Sequence, residues 1–293
     1  MQLPGPDYPA PAKLNLFLHV VGRRPDGYHL LQSAFALIDR ADRIRVRVRA
    51  DRRIERVSEL AGVAAADDLV VRAARLLQEA SGTSLGADLE VDKRIPMGAG
   101  LGGGSSDAAT TLLVLDRLWG TRFGAEALGE LAASLGADVP FFIFGRNAWA
   151  EGIGDVLSEL AVPQRWYVVL TPPVEVSTQA IFTAAELTRD TEPLKMEDFS
   201  ARPGWEAQPG PGSRFRNDLE AVVIQRFPEV ADHLRWLRQH GAARMTGSGA
   251  CVFAAFQTEG EARAVLGRLP APMTGFVAKG LAAHPLREVF AAP

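Results

Sequence analysis

The stretch Pro96-Met97-Gly98-Ala99-Gly100-Leu101-Gly102-Gly103-Gly104-Ser105-Ser106-Asp107 holds five glycines within twelve residues. Glycine adopts backbone conformations that a Cβ forbids, and it lets another molecule approach the main chain closely. Behind it, Leu112, Leu115 and Trp119 recur at steps of three and four, which predicts an amphipathic helix. A glycine loop that leads into a helix N-terminus offers free N–H groups and the positive end of the helix dipole. The stretch therefore predicts a phosphate-binding site.

Two better-known phosphate motifs fit this stretch poorly. Gly98, Gly100 and Gly103 satisfy the spacing of the dinucleotide fingerprint, which also requires a βαβ unit whose second strand ends in an acidic residue. Here Gly120-Thr121 and another helical pattern follow instead. A Walker A loop is excluded because no lysine precedes the serine pair. A glycine turn without a ligand is disfavoured by the entropic cost of so many glycines, so a phosphate cradle of a third type is the better interpretation.

Composition limits the class of protein. The 293 residues are 47% hydrophobic, which is enough to bury the core of one large domain or of two ordinary ones, and we expect two; the formal net charge is -3. This charge gives no global reason to expect nucleic acid or anionic lipid as a partner. Cys251 is the only cysteine, which indicates a reducing compartment. No apolar stretch is long enough to span a bilayer, and the proline-rich start does not look like a secretion signal. We expect a cytoplasmic protein.

Hydrophobic periodicity predicts an α+β chain in two domains, residues 1–163 and 164–293. Alternation from Lys13 to Val20 predicts a strand that places Lys13 and Asn15 on one face. The remaining predicted elements are strands at 35–38, 43–49, 166–170, 243–246, 251–256 and 276–279, a strand that leads into the glycine loop, and helices at 68–80, 125–135, after Ser177, 217–226, 229–239 and 260–269. Gly136 is expected to end its helix as the C′ residue. Residues 203–213 predict a mobile loop or linker from their proline and glycine content.

Several candidate site residues have a plain structural alternative. Asp138 lies after a predicted helix end and before Phe141-Phe142, which suits a general base, although an aspartate in a turn also accepts local hydrogen bonds. Lys13 at the start of a strand is usually a solvated charge. Tyr28 and His29 follow a Pro-Asp-Gly turn, where they could contact a ring or simply begin a strand.

Two further patterns leave alternatives open. Arg43, Arg45, Arg47 and Arg49 share one strand face, as in an RNA-binding protein, but no aromatic residues are interleaved with them. An exposed sheet face is therefore the favoured interpretation. The sequence Gly247-Ser248-Gly249-Ala250 between two predicted strands is a second small-residue loop, and it could be a plain hairpin.

Together these segments resemble the GHMP kinase superfamily. The superfamily-level segments are residues 11–16 (PAKLNL), the 96–106 loop and the 247–250 loop. The narrower segments are residues 24–29 (RPDGYH), 136–141 (GADVPF), 217–220 (NDLE) and 243–250 (ARMTGSGA), which are similar to the kinases of the non-mevalonate isoprenoid pathway that act on the cytidyl diphosphate of methylerythritol. The resemblance implies a two-domain GHMP kinase fold, with a ribosomal S5 domain 2-like N-terminal domain and a ferredoxin-like C-terminal domain.

The resemblance also implies site roles. ATP and Mg²⁺ would be the cofactors, with no assigned metal ligands, and the partners would be small molecules, with no nucleic acid and no membrane; the chain would be a monomer or a weak homodimer. The ATP-binding residues would be Pro96, Met97, Gly98, Ala99, Gly100, Leu101, Gly102, Gly103, Gly104, Ser105 and Ser106, with residues 67–70 in the adenine pocket. Asp138 would take the proton from the 2-hydroxyl of the substrate, with Lys13 beside it. Asn15 and Thr178 would contact the substrate, Tyr28 and Phe182 would sandwich cytosine, and His29 would bind its edge.

Two other functions stay open from the sequence. One is a different GHMP-type kinase that acts on homoserine or a mevalonate derivative. Such a substrate has no pyrimidine, so Tyr28 and His29 would have no role in binding it. The other is an S5-like RNA-binding protein that uses the arginine strand.

Overall fold

The computed structural model describes residues 3–60, 62–200 and 213–287. The strands are β1 (Tyr8–Arg23), β2 (His29–Arg49), β3 (Ile54–Arg56), β4 (Gly86–Asp92), β5 (Ala148–Glu151), β6 (Val156–Glu159), β7 (Trp166–Leu170), β8 (Arg244–Met245), β9 (Val252–Phe256) and β10 (Gly275–Leu281). The helices are α1 (Leu69–Ser81), α2 (Gly103–Trp119), α3 (Gly124–Ala133), α4 (Val139–Phe144), α5 (Thr178–Phe182), α6 (Met196–Ser200), α7 (Glu220–Arg226), α8 (Pro228–Leu237) and α9 (Glu259–Leu266). The chain is a mixed α+β protein, as predicted.

A long antiparallel hairpin, β1 with β2, forms the centre of the first half. The two strands predicted at 35–38 and 43–49 are one 21-residue strand, so that prediction was wrong. The register shifts between Pro11 and Ala12, which pair with Ala41 and Ile38 respectively. Residues 39–40 are thus accommodated as a bulge, which bends the strand without ending it.

Helices α1 to α4 cover this half and bury its core against the sheet. Leu77, Leu89, Leu112 and Phe141 are fully buried in one apolar cluster. Helix α3 ends at Ala133, and its C-cap Ser134 keeps right-handed helical backbone angles. The prediction of Gly136 as a left-handed C′ residue is therefore wrong, because the chain turns directly into α4. None of the described helices is both long enough and apolar enough to cross a membrane.

The second half is an antiparallel sheet in the order β10-β7-β9-β8. Its elements follow a β-α-β-β-α-β plan, with helices between β7 and β8 and α9 between β9 and β10. This is the predicted ferredoxin-like connection, in which the first and last strands lie side by side. Strand β10 also pairs with β2, Gly280 opposite Ile38, so the two halves share a continuous sheet. The loop predicted at 203–213 lies almost entirely outside the described residues, and the domain boundary at 163 stays a prediction.

The arginine strand is neutralised by its neighbours and is only partly exposed. Arg45 and Arg47 lie directly opposite Glu90 and Asp88 on β4 and form ion pairs with them. Arg45 is buried, which corrects the expectation of an exposed arginine face. Arg49 also binds Asp88, at 2.8 Å. Carboxylates thus occupy the guanidinium groups of Arg45, Arg47 and Arg49, which makes the strand a poor match to an RNA-binding surface.

Candidate active site

A cavity of about 580 Å³ lies between the two halves of the molecule. The first half contributes residues of the glycine loop together with Lys13, Asn15 and Asp138, and the second half contributes Thr178, Phe182, Gly247 and Ser248. The cavity thus brings together most of the residues that the sequence singled out, from segments that are far apart in the chain.

The glycine loop needs glycine for both conformation and space. Gly98, Gly100 and Gly102 have φ values of 63°, 74° and 70°, in the left-handed region. A Cβ on Gly100 would lie 2.3 Å from the carbonyl oxygen of Thr246. Helix α2 begins at Gly103 with no side-chain cap, so the N–H groups of its first turn have no partner within the helix. These N–H groups and the helix dipole form an anion-binding cradle at the cavity wall.

The two serines after the loop have different surroundings. Ser105 lines the cavity, whereas Ser106 is fully buried and absent from the lining. The backbone N–H of Ser106 already donates to the carbonyl of Gly102, at 2.9 Å. Of the pair, only Ser105 lines the cavity, while the hydroxyl of Ser106 is buried and has no hydrogen-bond partner among the described residues.

Lys13 and Asp138 form an ion pair at the cavity, with Nζ 3.3 Å from Oδ2. The lysine is almost completely buried, while 34% of the Asp138 side chain is exposed. Lys13 also donates from Nζ to Oδ1 of Asn15, at 2.6 Å, and from its backbone N to the carbonyl of Leu101, at 3.0 Å. The lysine is thus fixed to both β1 and the glycine loop, and the carboxylate stays open to a ligand.

Thr246 joins the two small-residue loops, and sequence reasoning assigned it no role. Its hydroxyl accepts from the backbone N of Asn15, at 2.9 Å, and donates to the carbonyl of Gly100, at 3.3 Å. The 247–250 loop is the hairpin between β8 and β9, and a Cβ on Gly247 would lie 3.0 Å from that same carbonyl. The position of Thr246 just before this small-residue loop was the signal available in the sequence. The hairpin is therefore also a contact that holds the glycine loop in place.

The predicted substrate residues fall into two groups. Thr178, whose hydroxyl lies 2.7 Å from that of Ser248, and Phe182 line the cavity. His29 lies outside the lining and packs on Phe182, with 5.1 Å between ring centroids. Tyr28 also lies outside the lining, in the turn that joins β1 to β2, where 61% of it is exposed. The structure thus brings His29 and Phe182 together and leaves the predicted Tyr28–Phe182 sandwich untested.

A buried charge cluster lies behind the glycine loop, and the sequence did not reveal it. Lys93 Nζ binds Oδ2 of Asp107 at 2.8 Å and also forms an ion pair with Asp42. Asp107 lies inside α2, whose N-cap is Gly102, so it does not cap the helix. Burial, reinforced by the charge of Asp42, raises the pKa of Asp107 to about 8, although Lys93 opposes the shift. A Cβ on Gly103 would lie 3.2 Å from Lys93 Nζ, so this cluster supports the loop from below.

The raised pKa of Asp107 makes a prediction about stability. A carboxyl whose pKa rises on folding stabilises the protein at low pH, and this contribution is lost as pH increases from about 4 to about 8. The variant Asp107→Asn mimics the protonated form, so its free energy of unfolding should increase relative to that of the wild type as the pH rises from 5 to 9. Urea unfolding of both proteins at pH 5, 7 and 9 measures the difference. A difference that is constant across this range would contradict the assignment.

Comparison with known proteins places this geometry in a family. The models for the GHMP kinases N terminal domain and the GHMP kinases C terminal domain match residues 68–146 and 210–275. A protein of Thiobacillus denitrificans (strain ATCC 25259 / T1), named 4-diphosphocytidyl-2-C-methyl-D-erythritol kinase, is 59% identical over 281 residues, or 96% of this chain and 97% of the relative. The chain belongs to this kinase family.

Two more 4-diphosphocytidyl-2-C-methyl-D-erythritol kinases support the assignment. The relative from Aromatoleum aromaticum (strain DSM 19018 / LMG 30748 / EbN1) is 56% identical and covers 96% of this chain and 95% of its own length. A crystal structure of 4-(cytidine 5'-diphospho)-2C-methyl-D-erythritol kinase superposes with a TM-score of 0.80 at 36% identity, covering 94% of this chain and 99% of the other. The family membership confirms the predicted two-domain GHMP kinase fold.

Proposed function

We propose that the protein transfers the γ-phosphoryl group of ATP to the 2-hydroxyl of 4-diphosphocytidyl-2-C-methyl-D-erythritol, in the supply of isoprenoid precursors. The observation that carries the proposal is the partly exposed carboxylate of Asp138, ion-paired with the buried Lys13 in the cavity that the glycine loop lines. Phosphoryl transfer asks mainly for positioning and electrostatic stabilisation, and this cavity offers a cradle, a cation and a base. The names of the relatives supply the acceptor.

The cradle at the start of α2 would hold the phosphates of ATP. Gly98, Gly100 and Gly102 expose the main chain, and the first-turn N–H groups of α2 favour a negatively charged ligand. Asp67, Asp68 and Leu69 line the same cavity, which supports their predicted place in the adenine pocket, whereas Val70 of that segment is buried in the core.

Asp138 would act as the general base. Its carboxylate takes the proton of the 2-hydroxyl while that oxygen bonds to the γ-phosphorus. The bond from the γ-phosphorus to the bridging oxygen breaks, and ADP leaves with the electron pair. Lys13 offers one fixed positive charge to the carboxylate and to the transferred group, and Asn15 holds its ammonium in position.

The cavity also fits Mg²⁺ bound together with phosphates. Within the described ranges, no group of three or more His, Cys, Asp or Glu side chains could hold a metal ion. Kinase sites bind Mg²⁺ through only one or two protein oxygens plus phosphate oxygens, and Ser105 and Asp138 bring such oxygens to the lining. We propose the Ser105 hydroxyl as a contact. When bound, the ion neutralises charge on the phosphates.

The acceptor would extend from the cradle towards β1 and α5. Asn15 and Thr178 would contact its polyol, as the cavity lining allows. Phe182 with Tyr28 would stack on cytosine, and His29 beside Phe182 would bind the edge of the base. The same proposal places the protein in the cytoplasm, as a monomer or weak homodimer. A single, buried cysteine supports the reducing compartment.

A substrate panel tests the proposal. The protein is incubated with Mg-ATP and, separately, with the cytidyl substrate, homoserine and mevalonate, and ADP release is followed by a coupled assay. We expect kcat/KM for the cytidyl substrate to exceed the other two by at least about 10⁴-fold, because a site built around hydrogen bonds to a base rejects acceptors that lack it. Comparable turnover with homoserine or mevalonate would contradict the proposed acceptor and leave only the assignment to the GHMP kinase superfamily.

A further inference from the structure

Arg189, in the segment after α5, makes a contact that no sequence motif indicated. Its Nε donates a hydrogen bond to Nε2 of His29, at 3.0 Å. Its Nη1 donates to the carbonyl of Leu187, at 2.9 Å, and its Nη2 donates to the carbonyls of Phe182 and Ala184, at 3.1 and 2.5 Å. One guanidinium therefore holds both the ring of His29 and the backbone of the residue on which that ring packs.

This contact fixes the tautomer of His29. A guanidinium has five N–H donors and no acceptor, and it stays protonated in proteins. Nε2 of His29 must therefore be the acceptor. In a neutral imidazole with Nε2 as the acceptor, the ring proton resides on Nδ1. His29 thus offers a ligand one donor, Nδ1–H, and no acceptor nitrogen.

The charges around His29 also favour a neutral ring. Burial is the main cause that lowers the pKa of His29, and the positive charges of Arg189 and Arg23 lower it further. Arg23 ends β1 and pairs with His29 in the hairpin register, and Phe182 packs on the ring from α5. An imidazolium here would add a third positive charge and would lose the bond from Arg189, because its Nε2 would carry a proton.

We propose that Arg189 is a positioning residue that makes His29 an obligate Nδ1–H donor and so selects cytosine over uracil at the substrate pocket. The inference rests on the proposed function, in which His29 binds the base. N3 of cytosine is a hydrogen-bond acceptor, whereas N3 of uracil carries a proton. The fixed Nδ1–H donor of His29 can bond to N3 of cytosine, but it would face the N3–H of uracil. Two donors would then lack an acceptor, which is costly in a desolvated pocket. Since Arg189 also binds the carbonyl of Phe182, it sets the edge contact and the stacking ring together.

Nitrogen NMR of the wild-type protein tests the tautomer without any activity. With ¹⁵N-labelled histidine, long-range ¹H–¹⁵N correlation distinguishes the protonated from the unprotonated ring nitrogen, and His29→Asn assigns the signals. We expect His29 to show a protonated Nδ1 and an unprotonated Nε2 at pH 7. A protonated Nε2 would overturn the inference, whatever the substrate proves to be.

Kinetics of Arg189→Met test the consequence. We expect KM for the cytidyl substrate to rise about tenfold with kcat within about twofold, the size expected for losing a hydrogen bond from a charged group. The preference for the cytidyl substrate over its uridyl analogue should fall by a similar factor, because the freed His29 can present either nitrogen. The preference should recover as the pH falls below about 6.5, because protonation of the freed imidazole makes both ring nitrogens donors. An unchanged preference between the two pyrimidines would overturn the inference.

Two further variants control this test. Arg226→Met removes an arginine that also donates to α5, at the carbonyl of Ala180, but does not contact His29. It should leave the pyrimidine preference unchanged. Arg189→Lys keeps the charge and one donor, so it should restore part of the preference. If the wild-type protein does not phosphorylate the cytidyl substrate at all, the proposed function fails, while the NMR measurement still decides the tautomer.

Discussion

Asp138→Asn is expected to lower kcat by about 10³-fold, within the range of 10²- to 10⁴-fold that general bases contribute. The amide has the shape of the carboxyl group but cannot accept the proton of an attacking hydroxyl. KM for ATP should change little, because Lys13 stays attached to the glycine loop through Leu101 and to Asn15. Steady-state kinetics with both substrates measure the effect.

A matched aspartate separates chemistry from folding. Asp232→Asn makes the same substitution on α8, at an exposed residue that pairs with Arg235 three positions away. Such surface pairs contribute little to stability, so this variant should keep wild-type kcat and melting temperature. Asp138→Asn should melt within a few degrees of the wild type. If Asp138→Asn kept more than about a tenth of wild-type kcat, Asp138 would not be the base.

Gly100→Ala is expected to disable the glycine loop. Its φ of 74° costs an alanine about 1 to 2 kcal/mol, and the added Cβ would lie 2.3 Å from the backbone oxygen of Thr246. Because that oxygen belongs to another loop, relief of the clash must separate the two loops. We expect a loss of more than about 2 kcal/mol in the free energy of unfolding and at least a tenfold rise in KM for ATP. Urea unfolding and initial-rate kinetics measure the two effects.

Gly120→Ala is the control for backbone strain alone. Gly120 ends the same helix, with a φ of 68°, and nothing lies within 4 Å of its hypothetical Cβ. This variant should lose about 1 kcal/mol of stability and keep the wild-type KM for ATP. Equal KM values for the two alanine variants would contradict the view that the loop's close contact with Thr246 sets its geometry.

The parts of this molecule that sequence predicted are those with a local cause. The glycines at 98, 100 and 102 take the left-handed conformations that their residue type permits. The helix predicted after Ser177 forms as α5, and the Ser177 hydroxyl caps it by accepting from the backbone N of Ala180. Alternation along β1 predicted that Lys13 and Asn15 share a face, and the structure joins them by a hydrogen bond.

The parts that sequence missed depend on contacts between distant segments. Arg189 and His29 are 160 positions apart, and Asn15 and Thr246 are 231 apart. No periodicity links such pairs, because tertiary packing alone brings them together. Asp107 shows the same limit, since the residue with which it pairs, Lys93, comes from the segment after β4. The 21-residue β2 was predicted as two strands because a bulge interrupts the alternation of apolar and polar residues in the same way as a turn does.

The structure of the product tests the proposed reaction most directly. The protein is incubated with Mg-ATP and the cytidyl substrate labelled with ¹³C at the carbon that bears the 2-hydroxyl, and the product is followed by ³¹P and ¹³C NMR. We expect a new phosphomonoester coupled to the labelled carbon, formed in equal amount to ADP. ADP with only free phosphate, or a phosphoester on another carbon, would contradict it.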